Sequence, residues 1–159
     1  MTMLKGLDDV ADDIAAYKQC LAEHGFDPAT RRVALMIPWY VAPSRQEAVD
    51  TAADAVLWYL RRQVNLVAPP DYTDARHATH RVLGQQAAGM PPDEAMAVLR
   101  EETMVVIDDV AGSRRAVERI RAAGATDLIL QAQVGGLAHE HVCNSMKLFM
   151  REVVPQEAR

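Results

Sequence analysis

The stretch "TDLILQAQVGGLAHEHVCNSMKLFMREVVP", residues 126–155, decides how the rest of the chain is read. Its first eight residues, 126–133, read as a short strand rich in aliphatic side chains. Gly135 and Gly136 then break the pattern, and a helical segment follows that stops at Pro155. Working backwards, "GSRRAVERIRAAG" (112–124) is helical, with Ser113 as the expected N-cap and Gly124 at the position after the helix end. Before it, "TMVVID" (103–108) reads as another short strand. Strand, helix, strand, helix with short links is the signature of a parallel sheet, in a barrel or an open α/β layer.

The upstream half extends the pattern. "RVALMIPWYVA" (32–42) is apolar without polar alternation, which suits a strand buried on both faces. Pro38 inside it lacks a ladder donor and implies a bulge, an edge position or the strand's end. "SRQE" (44–47) forms a capping box, and the helix it opens runs to about residue 62, with Ala48, Ala52, Val56, Tyr59 and Leu60 roughly on one side. Leu7, Val10, Ile14, Tyr17 and Leu21 form the apolar stripe of a helix over 7–24, ended by Gly25. "LVAPPDYTD" (66–74) is a break, 74–88 is weakly helical, and "MPPDEAMAVLREE" (90–102) starts a helix with prolines in its first turn.

Composition narrows the function classes. The 159 residues are about one domain's worth, 50% hydrophobic and 25% charged, with a net charge of −5. No basic patch of the kind nucleic acid needs is visible, so no nucleic-acid partner is expected. No apolar run nears the ~18 residues of a membrane span, and "MTMLKGLDDV" lacks the apolar core of a signal peptide. The expectation is a cytoplasmic protein without a membrane partner. Cys20 and Cys143 make no disulfide framework, and each is expected as a small buried hydrophobe.

Three segments together carry a resemblance: "IAAYKQCLAEHGFDP", "VALMIPWYVAPSRQEAV" and "AGSRRAVERIRAAGATDLILQAQVGGLAHEHVCNSMKLFMREVVP". They are similar to the C-terminal part of the bacterial luciferase-like monooxygenases. The last segment matches that family's pattern at Gly135, Gly136, Leu137, His139, Glu140, Val142, Ser145, Phe149, Glu152, Val153 and Pro155. It departs at Arg114 and Ala138, where the family usually has proline. The resemblance implies an α/β fold of the TIM-barrel type, FMN or F420 as cofactor, and oxidoreductase or monooxygenase chemistry on a small organic molecule.

A complete (β/α)₈ barrel needs about 250 residues and eight strands. This chain has three convincing strands, corresponding to the family's last three. It therefore reads as a single truncated luciferase-like domain over 1–159, with a helical insertion at about 63–100. With helices on one side only, the former barrel interior would be bare, and of Val33, Leu35, Met104, Val106, Leu128, Leu130 and their alternating neighbours one set would be exposed. A bare face and two open edges favour association. A homodimer is expected, or a chain supplying the missing strands. A non-catalytic accessory subunit and a flavin-free enzyme reusing the open face are the rival readings.

Candidate site residues lie where strands end, the face TIM-type active sites use. Gly135 and Gly136 precede a helix N-terminus that could hold a cofactor anion; the plainer reading is a turn. His139, in the family motif, is the catalytic candidate at the pocket mouth. Trp39 could flank a flavin ring and Tyr40 a substrate, or both could pack under the following helix. Gln131 and Gln133 are substrate-binding candidates, polar groups at a strand end that need partners. His139, His141 and Cys143 spell H-x-H-x-C, yet on a helix His141 points away from the other two, so no metal is expected. His77 and His80, with Arg76 and Arg81, read as a solvated face that could meet an anion.

Overall fold

The computed structural model describes residues 5–67 and 91–154, with the side chains of 64–67 left out. His77, His80, Pro155 and most of the expected insertion lie outside the described residues. The elements are α1 (Leu7–Glu23), a 3₁₀ turn (Pro28–Thr30), β1 (Ala34–Val41), α2 (Arg45–Val67), α3 (Pro92–Glu101), β2 (Val106–Asp108), α4 (Val110–Ala122), β3 (Asp127–Gln131) and α5 (His139–Leu148). A π-helical turn (Phe149–Val153) continues α5.

Local signals explain most boundaries. Ser44 Oγ accepts from Glu47 N at 3.2 Å and so caps α2. Gly25 and Gly124 take φ of +77° and +96° just past their helices, the left-handed conformation glycine adopts most easily. Two expectations are corrected. The strand expected from 103 begins only at Val106, because Met104 N and Val105 N both donate to Leu99 O and are drawn into the end of α3. The N-cap of α4 is Asp109, whose Oδ1 accepts from Gly112 N at 2.7 Å, and Ser113 is buried inside the helix.

The three strands form one parallel sheet in the order β2-β1-β3. Consecutive strands of a barrel would lie in the order β1-β2-β3, so the expectation of three successive barrel neighbours is corrected. β1 pairs with β3 from Ala34↔Asp127 to Pro38↔Gln131, and with β2 from Trp39↔Val106 to Val41↔Asp108. Pro38 therefore sits inside a central strand, at the point where pairing passes from one neighbour to the other. Ala42 N donates to Asp108 O at 3.2 Å, and strand alternation puts the donor that Pro38 lacks on that same side, one residue before β2 pairing starts. The proline costs the ladder no bond.

Helices cover both faces. Leu35, Ile37, Trp39, Val41 and Val106 pack with Leu7, Val10 and Ile14 of α1, Ile120 of α4, and Phe149 and Val153. On the other face Tyr40 and Ile107 pack with Ala48, Ala52, Val56 and Leu60 of α2, and with Ala95, Met96 and Leu99 of α3. The expected bare face is thus corrected: Leu35 and Val106 are buried, and Ile129 is the strand residue left exposed, at 47%. The reason is the strand order. The path from β1 to β2 and the path from β2 to β3 run in opposite directions across the sheet, and right-handed crossovers in opposite directions place their helices on opposite faces.

Beyond Pro38, β1 outruns β3. Val41 N, on the β3 side, donates to Ser145 Oγ at 2.8 Å, so α5 takes over where β3 stops. Both residues are buried. Replacing Ser145 by alanine leaves a buried N–H without an acceptor and lowers stability by about 1–3 kcal/mol. Urea unfolding should show an earlier midpoint with an unchanged slope; a wild-type midpoint contradicts the assignment.

Candidate functional site

In open α/β sheets ligands bind outside the carboxyl ends of the strands, where the winding reverses. Here that place is the end of β1, between the loop after β1 and the loop after β3. Much of it is filled by the chain itself. Val134, Leu137 and Val142 are buried against the α2 core there, and Ser145 meets Val41. What stays open is a wide cleft of about 650 Å³ between α2 and the 135–138 loop, lined among others by Asp50, Asp54, Trp58, Gly136 and His141.

The two glycines of this loop differ. Gly135 has φ +57°, and a Cβ there would overlap the backbone carbonyl of Ala55, so close packing on α2 demands glycine. Gly136, at φ +83°, faces open space and leaves room in the cleft. Gln133 braces the loop, its Nε2 donating to Leu137 O at 3.0 Å. No side chain among the described residues caps α5, which starts just after the 135–138 loop. His139 is exposed, with Nε2 3.4 Å from Cys143 Sγ, one helical turn on.

Trp39 and Tyr40 are not brought together. As successive strand residues they point into opposite cores, 3% and 5% exposed. Trp39 stacks edge-on against Phe149 with ring centroids 5.3 Å apart. Tyr40 is held under α2; burial pushes its hydroxyl pKa up, a hydrogen bond with Thr51 opposes this, and Glu47 adds to the rise. The aromatic ring presented to the cleft is instead Trp58, 54% exposed, with the Arg62 guanidinium 5.7 Å from its centroid. Gln131 Nε2 donates to Tyr59 Oη at 2.7 Å, while its Oε1 is buried without a partner among the described residues. Of the cysteines, Cys20 is exposed and Cys143 half-buried, which corrects the expectation of two buried thiols; α1 buries nothing beyond Ile14. Among the described residues no three His, Cys, Asp or Glu side chains gather as metal ligands.

A polar centre that the sequence reading missed lies at the end of β2. Asp108 Oδ1 accepts from Arg45 Nε at 2.9 Å and from Asp109 N at 2.9 Å, and Oδ2 accepts from Arg100 Nη2 at 2.7 Å. The Asp108 carboxylate lies over Gly112, where any Cβ would overlap it. Glycine inside a helix is unfavourable by about 1 kcal/mol relative to alanine, so Gly112 was the sequence signal for a close approach. Burial raises the Asp108 pKa, and the bonds from Arg45, Arg100 and Asp109 N outweigh it, holding the group below the usual carboxylate value.

The sign of the pH effect follows. A depressed folded pKa contributes stability above the unfolded value of about 3.9, and that stability is lost as pH falls through the folded value. Asp108→Asn should destabilise the protein by about 1.5–3 kcal/mol near neutral pH, the range for hydrogen bonds to charged groups. As pH falls below the unfolded value and through the folded one, the variant and wild type should converge. Thermal melts across pH check this; a difference that persists unchanged into acid contradicts it.

No family model matches the chain, and no curated protein sequence does. Among solved structures, the crystal structure of monooxygenase RslO1 from Streptomyces bottropensis is similar in fold, with a TM-score of 0.67 at 17% sequence identity. The match covers 98% of this chain and 40% of that one, so this chain spans less than half the length of its structural neighbour.

Proposed function

We propose that this chain is an oxidoreductase module of the luciferase-like monooxygenase kind, whose flavin site is completed by a second copy of the chain. The observation that carries the reading is the superposition of nearly the whole chain on part of a monooxygenase. The family motif from Gly135 to Val153 supports it independently. Two features of the cleft suit a flavin: an exposed indole at Trp58 on which a flat ring can stack, and open space at Gly136, three residues before the start of α5. One feature does not. Asp50 and Asp54 line the same cleft, so a phosphate group would meet two carboxylates, and among the described residues no Lys or Arg lines it. The missing positive charge would come from the second copy.

In this reading FMN or F420, when bound, supplies the redox chemistry. Trp58 orients the ring, Gly136 gives it room, and His141, which lines the cleft, is a polar contact for a small organic substrate. A rival reading, a non-catalytic accessory subunit, is favoured by the way α5 fills the crevice at the end of β1 through Ser145.

One experiment separates them. Light scattering is run with flavin absorbance on the same peak, and FMN and F420 are titrated by fluorescence. The proposal expects a dimer that takes up one of the two cofactors, and a Trp58→Ala variant that binds it roughly tenfold more weakly, as one aromatic stack of about 1–3 kcal/mol implies. A dimer that takes up neither cofactor supports the accessory reading, and a colourless monomer at every concentration overturns the proposal.

A further inference from the structure

A second cleft, of about 320 Å³, runs along β2 between α3 and α4. Its charge is opposite to that of the chain. Arg45, Arg100, Arg115 and Arg119 line it against Asp108 and Glu101, in a protein of net charge −5. The four guanidiniums come from three helices, α2, α3 and α4, so only the fold brings them together.

Their hydrogen bonding is incomplete. Arg45 and Arg100 each give one donor to Asp108, which fixes where the two guanidiniums stand. Arg100 Nε is buried and has no acceptor among the described residues. Arg119 Nη1 donates to the Glu101 carbonyl at 3.2 Å, and no hydrogen bond or ion pair is recorded for Arg115 among the described residues. A guanidinium carries five donors, so many remain for a ligand rich in acceptor oxygens. Planar arginine forks match phosphate oxygens two at a time. The size argues for a small ligand, since this cleft stands at the lower end of the range for small-molecule sites. The net negative charge of the chain argues against a long polyanion.

We propose that this cleft binds a phosphorylated small molecule, with its phosphate or diphosphate held by Arg45, Arg100, Arg115 and Arg119. Asp108 is the positioning residue: it holds Arg45 and Arg100 in place, and Gly112 lets its carboxylate lie close to α4. The site does not depend on the oxidoreductase reading and lies on different residues from the cleft at Gly136.

The test is calorimetric titration of the full chain with inorganic pyrophosphate and with orthophosphate at low ionic strength. Wild type should bind at least one of them saturably, and added salt should weaken the binding. The double variant Arg115→Gln, Arg119→Gln changes two exposed side chains and should bind about tenfold more weakly, the equivalent of one charge-assisted hydrogen bond. Circular dichroism and the melting temperature report whether that variant is folded. Arg62→Gln, an arginine outside the cleft, should bind as wild type does. A further readout is protection: pyrophosphate should raise the melting temperature of wild type and not of the double variant. No saturable binding by wild type, or equal binding by the folded double variant, overturns the proposal.

Discussion

The backbone of β1 is divided between two partners, and the rest of the molecule follows from that division. Residues 34–38 pair with β3 and residues 39–41 with β2, with Pro38 at the changeover. A strand shared in this way must be central. Once β1 is central, the connections on its two sides cross the sheet in opposite directions, and right-handed crossovers then put α2 and α3 on one face and α4 on the other. The result is a covered three-layer arrangement in place of a curved sheet with one bare side. Ser145 completes it by accepting the Val41 N–H that β3 is too short to reach.

The same division sets where chemistry can occur. At the carboxyl end of the sheet, β1 leads into α2 and β3 leads into the Gly135–Gly136 turn, and these two segments make the walls of one cleft. On the other side of β1, β2 ends in Asp108, which gathers Arg45 from α2 and Arg100 from α3. One cleft is lined by carboxylates and an exposed indole, the other by guanidiniums. Their contrasting charge means that one anionic group would not choose both. Gly135 and Gly112 have a common role in this: each is a place where a Cβ would collide, with the Ala55 carbonyl in one case and the Asp108 carboxylate in the other. They hold the walls of the two clefts close.

What the sequence showed was mostly local. The strand and helix alternation, the Ser44 cap and the glycine stops at Gly25 and Gly124 depend on a few neighbouring residues and were readable. Strand order depends on which edges meet, and no short-range pattern carries that. Pro38 looked like a sign of an edge or bulge because its missing donor is visible in the sequence, while the side on which that donor would fall is not. Trp39 and Tyr40 looked like a pair at a ligand because they are adjacent, yet adjacency in a strand means opposite faces. Trp58 and Asp108 were passed over for the converse reason. Trp58 lies off the apolar stripe read for its helix, and the partners of Asp108 lie 63 and 8 residues away.

The most direct measurement of this account is the set of cross-strand proton contacts in a nuclear Overhauser spectrum of the labelled protein. With β1 central, backbone contacts should join Leu35 to Leu128 and Ile37 to Leu130 on one side, and Tyr40 to Ile107 on the other. Contacts between Val106 and Leu128 without those of Leu35 would place β2 in the middle, as successive barrel strands would be, and would contradict the account.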